Sequence, residues 1–95
     1  MRTMVRWTVP AGPGNEAIES GVMQKSVASL LKDLKPEAAY FFADKGKRAG
    51  MLVFDMADPS QIPLIAEQLF QAYQAEVEFL PVMNGDDLER AFSNL

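Results

Sequence analysis

The chain has 95 residues, 48% of them hydrophobic and 23% charged, with a net charge of −4 and neither cysteine nor histidine. That length holds one domain with a modest core, spanning 1–95. Its apolar fraction is too high for a disordered segment. Without Cys or His, disulfides, thiolate catalysis, thiolate zinc sites and histidine bases are excluded, and only carboxylate, Lys, Tyr or Ser/Thr chemistry remains.

The acidic balance offers nucleic acid no general attractive field. No run approaches a membrane span, and the opening Met1–Trp7 stretch lacks a signal-peptide core, so the chain is expected to be cytoplasmic.

Arg2 to Val9 alternates, with Thr3, Val5, Trp7 and Val9 on one face and Met4, Arg6 and Thr8 on the other, which predicts a strand. Pro10-Ala11-Gly12-Pro13-Gly14 then reads as a break, with Asn15 as the N-cap of a helix running to Leu34. Ile18, Val22, Met23, Val27, Leu30, Leu31 and Leu34 keep helical spacing. Gly21 weakens that helix by about 1 kcal/mol relative to alanine. Ala38–Ala43 predicts a second strand, and Asp44-Lys45-Gly46-Lys47 a tight turn with Gly46 at positive φ.

A third strand, Ala49–Met56, follows the turn to make an antiparallel hairpin. Asp58, Pro59 and Gln61 are placed as a helix N-terminus with a capping box. The helix carries the stripe Ile62, Ile65, Ala66, Leu69, Phe70 and Tyr73. Glu76–Met83 alternates again, with Pro81 suited to an edge strand. Asp86–Asn94 predicts a short helix with Leu88, Ala91, Phe92 and Leu95 on its apolar side.

The predicted order is β-α-β-β-α-β plus a terminal helix. Right-handed crossovers give one antiparallel sheet of order 4-1-3-2 with both long helices on one face, a ferredoxin-like α+β sandwich. The second and third strands read as continuous apolar runs, the pattern of strands buried on both sides. Helices on one side leave the other face bare, and a second copy of the chain packed face to face across a two-fold axis is the expected cover.

Arg6-Trp7-Thr8-Val9-Pro10 with its Pro/Gly break, Leu52-Val53-Phe54-Asp55-Met56-Ala57-Asp58-Pro59 and the closing Pro81-Val82, in this order of elements, resemble the dimeric α+β barrel superfamily. More narrowly they resemble a family of small stand-alone bacterial members of undefined function, with Met56 here where alanine is more usual. The resemblance implies a homodimer joined through the helix-free sheet face and needing no cofactor. Superfamily relatives include cofactor-independent monooxygenases, muconolactone-type isomerases and haem-degrading enzymes, so the fold says little about the reaction.

Four residues are the candidate ligand-binding set: Arg6, Trp7, Tyr40 and Glu78. Arg6 and Glu78 lie on neighbouring strands, where a paired guanidinium and carboxylate would orient an acidic or enol-like ligand; the simpler account is a structural ion pair. The aromatic residues Trp7, Tyr40, Phe41, Phe42, Phe54 and Phe79 are enough to line a pocket for a flat ligand, although packing alone explains aromatics on strands. A phenolic substrate held by Arg6, Trp7 and Tyr40 is what the resemblance to cofactor-free oxygenases implies. No residue is assigned a catalytic role.

Asp55 and Asp58 frame the end of the third strand; capping accounts for Asp58, and two carboxylates alone make a poor metal site. Lys45, Lys47 and Arg48 read as a solvated hairpin tip. RNA-recognition modules share this topology, but their third strand carries stacking aromatics where this chain has Ala49 and Met51. Nucleic acid is therefore not an expected partner. The expectation is a homodimer that binds a small apolar or aromatic molecule; the alternatives are a cofactor-independent monooxygenase or isomerase, and a structural or regulatory dimer without a ligand site.

Overall fold

The computed structural model describes residues 1–95. In chain order the elements are β1 (Arg2–Val9), α1 (Ala11–Ser20), α2 (Val22–Leu34), β2 (Ala38–Asp44), β3 (Lys47–Asp55), α3 (Gln61–Tyr73), β4 (Glu76–Pro81) and α4 (Gly85–Ser93). The strands form one antiparallel sheet of order β2-β3-β1-β4. This is the expected 4-1-3-2 arrangement read from the other edge, an α+β fold compatible with the ferredoxin-like class. No helix is long and apolar enough to cross a membrane.

Side chains alternate across a strand, so the register sorts each one to a face. Thr3, Val5, Trp7 and Val9 of β1 stand opposite Phe54, Leu52, Gly50 and Arg48 of β3. This side meets the helices: Val5, Trp7, Leu52 and Phe54 share a core with Ala17 of α1, Leu30 of α2, and Ile65, Leu69 and Tyr73 of α3. Leu52 and Leu69 are fully buried. Burying a side chain of that size contributes about 1.5–3 kcal/mol.

The first helix differs from expectation. It starts at Ala11, within the Pro/Gly stretch, and Pro10 occupies the N-cap position with extended backbone. Pro13 lies within the first turn, where no intrahelical N–H is required of it, and the Gly14 N–H already reaches the Pro10 carbonyl at 2.9 Å. Asn15 is thus inside α1 and caps nothing. The helix divides at Gly21, whose φ of 82° places it in the left-handed region, where glycine carries no steric penalty.

The β2–β3 turn has two residues at positive φ, Lys45 (52°) as well as Gly46 (80°), the type I′ geometry whose twist matches a hairpin. At α3, Asp58 Oδ1 accepts from the Ser60 N–H at 2.8 Å, while Gln61 Oε1 takes the N–H groups of Ala57 and Asp58 at 2.8 and 3.4 Å. Only part of the expected cap is present: the Gln61 side chain reaches back to the Asp58 N–H, but Asp58 accepts from Ser60 and not from Gln61, and Ser60, the N-cap of a helix that begins at Gln61, makes no side-chain cap bond.

Two elements are less covered than their apolar sequence led us to expect. On β2, Tyr40, Phe41 and Phe42 are 65%, 52% and 40% exposed, so this edge strand is bare on both faces. α4 buries none of its residues, and Leu88, Phe92 and Leu95 on its apolar side are exposed. Asn84 and Asp87 close a reciprocal capping box at its start, and Asp87 also pairs with Arg2, whose Nε lies 2.6 Å from Glu37. The radius of gyration is 14.8 Å, against about 12 Å for a compact domain of this length.

Candidate functional site

The helix-free face is the one the sequence singled out. Met4, Arg6 and Thr8 of β1 stand beside Val53, Met51 and Ala49 of β3. Ala38, Tyr40 and Phe42 of β2 and Leu80, Glu78 and Glu76 of β4 complete the face. Arg6 and Glu78 are direct cross-strand partners, with Nε 3.5 Å from the Glu78 carboxylate.

The shorter bond of Arg6 goes to the far side of the sheet. Its Nη2 donates to Asp44 Oδ2 at 2.5 Å, and on the way the guanidinium lies 5.6 Å from the centroid of the Phe42 ring, within cation–π range. With Thr8, Trp7, Glu76 and Val77 these groups line a polar cleft of about 340 Å³. A guanidinium that meets two carboxylates has little charge left for an anionic ligand.

Of the four candidate residues, the structure thus puts Arg6 and Glu78 in direct contact and brings Trp7 to the same cleft. Tyr40 shares their face but lies in the plane of the bare edge strand and lines none of the clefts described here. Trp7 points the opposite way, into the helix side, and is 4% exposed. Arg6, Tyr40 and Glu78 therefore share a face; Trp7, although it lines the polar cleft beside Arg6 and Glu78, also borders a second environment on the helix side.

That environment is a second cleft, of about 360 Å³, between α2 and β2. Its walls are Trp7, Val9, Met23, Val27, Phe41 and Tyr73, with Arg48 at the rim. The helices leave Phe41 52% exposed, so the space beside its ring stays open. Trp7 and Phe41 meet edge to face, with centroids 6.3 Å apart and planes at 69°, a favoured aromatic geometry.

Gly50 is what lets the indole lie against β3. A Cβ there would fall 2.5 Å from Trp7 Cζ2, closer than two carbons tolerate. The hydroxyl of Tyr73 lies 3.1 Å from Ser26 Oγ. Burial pushes its pKa up, partly opposed by that hydrogen bond, so the ring enters the cleft as a neutral phenol at pH 7.

Sequence reasoning did not assign Met23, Val27, Tyr73 or Arg48 to a site. For Arg48 a signal existed: it shares strand parity with Gly50, Leu52 and Phe54, which puts it on the helix side of β3, although its side chain is exposed, as a tip charge was expected to be. Asp44 was read only as a turn residue, since its bond to Arg6 crosses the sheet and is not a register neighbour.

On the third strand's end, Asp55 is exposed and Asp58 serves the α3 turn. No family model matches the sequence, and no curated protein matches it significantly.

Proposed function

We propose that this chain is a small-molecule-binding homodimer of the dimeric α+β barrel type, taking a small apolar or aromatic ligand in the cleft between α2 and β2. The observation that carries the reading is that cleft: about 360 Å³, with eight of its nine lining residues hydrophobic. Ligand sites are concave, mostly apolar and of this size.

The dimer is supported separately, by surface left uncovered. Tyr40, Phe42 and Leu80 are exposed on the helix-free face, Met4, Met51 and Val53 are half-buried beside them, and α4 offers Leu88, Phe92 and Leu95 to solvent. Exposed large apolar side chains in that number favour an association surface, here around the polar cleft of Arg6 and Glu78, and a two-fold pair is the commonest way for such a face to close.

Two measurements on pure protein test the two halves. Sedimentation equilibrium at micromolar concentration is expected to give twice the chain mass, and a monomer mass refutes the dimer. Mass spectrometry of small molecules released from protein purified from its source is expected to recover a ring-containing compound. Its absence, together with no binding of aromatic probes, leaves the structural or regulatory dimer as the surviving reading.

A further inference from the structure

We propose that the α2–β2 cleft selects a flat aromatic molecule carrying a carboxylate, with Arg48 as the residue that receives the anion. This rests on the proposed ligand-binding role of the cleft and adds the chemical class of what enters it.

The charge state of Arg48 sets it apart. The chain has four arginines. Arg2 pairs with Glu37 and Asp87, Arg6 with Asp44 and Glu78, and Arg90 with Asp87. Arg48 alone has no carboxylate: its Nη2 donates to the neutral side-chain oxygen of Asn15 at 3.0 Å. A guanidinium has five N–H donors in a rigid fork, so most of that fork is open at the rim of an aromatic-walled cleft.

The group also lies against α1: a Cβ on Gly14 would fall 2.8 Å from Arg48 Nη1, and Asn15 on the same helix accepts from Nη2. A guanidinium positioned beforehand loses less entropy on capturing a planar anion, and bidentate pairing favours a carboxylate.

A second donor is available nearby. The Trp7 indole N–H has no acceptor within the chain, and no fully buried side-chain nitrogen or oxygen lacks a partner, so this N–H reaches solvent. The chain is acidic overall, yet Lys45 and Lys47 precede Arg48 in the hairpin, with Asp44 as the one acidic residue of that turn. The walls ask for an aromatic ring, and the unpaired fork asks for one planar negative charge.

Trp7 is the only tryptophan, so a ¹H–¹⁵N spectrum has a single indole resonance, and it reports on this cleft. The probes are 2-naphthoate and 2-naphthol at pH 7, nearly alike in shape but differing in charge. Naphthoate is expected to shift the indole resonance and to bind at least tenfold more tightly than naphthol. In Arg48→Gln, an exposed position whose replacement leaves the backbone spectrum in place, that advantage falls to within twofold. In Phe41→Ala both probes weaken together.

If both probes bind equally to the wild type, or if Arg48→Gln keeps the full preference, the assignment of Arg48 is overturned while the cleft stands as a ligand site. If neither probe moves the indole resonance at millimolar concentration, the cleft reading falls and the carboxylate assignment falls with it.

Discussion

Replacing Gly50 with alanine adds one methyl group to the middle of β3, and the structure says what it meets. The new Cβ would stand 2.5 Å from Trp7 Cζ2 and 2.9 Å from both Cε2 and Cη2. Three atoms of one rigid ring lie inside contact distance, and Trp7 is 4% exposed, with core on one side and the α2–β2 cleft on another. It cannot swing away as a flexible chain end would. Overpacking of this kind costs about 1–3 kcal/mol.

Against this, losing a glycine restricts the unfolded chain, worth about 0.4–1 kcal/mol in the opposite direction. Overpacking wins, with a net loss of about 1–2 kcal/mol. For a domain of this size that lowers Tm by roughly 5–15 °C. The assay is thermal unfolding followed by Trp7 emission and circular dichroism together.

Gly12→Ala is the control, because a Cβ there meets nothing within 4 Å and should leave Tm level or slightly raised. In a Trp7→Phe background, where the six-membered ring of the indole is gone, Gly50→Ala should cost less than half as much, since neighbouring sites couple. A Gly50→Ala protein as stable as the wild type, with unchanged Trp7 emission, would show that the indole does not lie where this reasoning places it.

Other consequences can be measured more simply. Phe42→Glu, at a 40% exposed position on the helix-free face, should turn a sedimenting dimer into a folded monomer; unchanged mass would place the contact elsewhere. Tyr73→Phe removes the hydroxyl 3.1 Å from Ser26 and should cost about 1 kcal/mol in denaturant unfolding; an unchanged midpoint would refute a net contribution from that bond.

The carboxyls of Asp58 and Asp87 are both held below the usual range, Asp58 chiefly by the Ser60 backbone N–H and Asp87 chiefly by that of Asn84. Depressed folded-state values stabilise above the unfolded pKa, near 4, and that contribution is lost as pH falls through the folded values. Tm should therefore drop on acidification below about pH 4, and less steeply in the Asp58→Asn, Asp87→Asn double variant. A slope identical to the wild type would refute these two groups as its source.

The sheet was legible in the sequence because period-two alternation reports parity and parity is what sorts faces. Once Arg6 was on the opposite face from Trp7, and β4 beside β1, Arg6 and Glu78 were forced together. The type I′ turn announced itself through Gly46, although nothing in the composition required Lys45 to share its left-handed geometry. The start of α1 was hidden because prolines and glycines usually signal a break, whereas a proline in a first helical turn loses nothing.

The α2–β2 cleft was illegible for another reason. It depends on how much of Phe41 the helices leave uncovered, a quantity of packing and not of pattern. The stripe on α4 showed that Leu88, Phe92 and Leu95 wanted cover. It could not show that the rest of the chain would leave them without it.

Arg6 touches Glu78 on one outer strand and Asp44 on the other. On the helix side, interlocking core residues determine how the strands align; the opposite side has no such layer to do it. A slip of one residue in β1 would carry Arg6 through to the other surface and cost it both partners at once. One side chain therefore discriminates against misaligned pairings at both margins of the sheet, on the side where packing offers no correction.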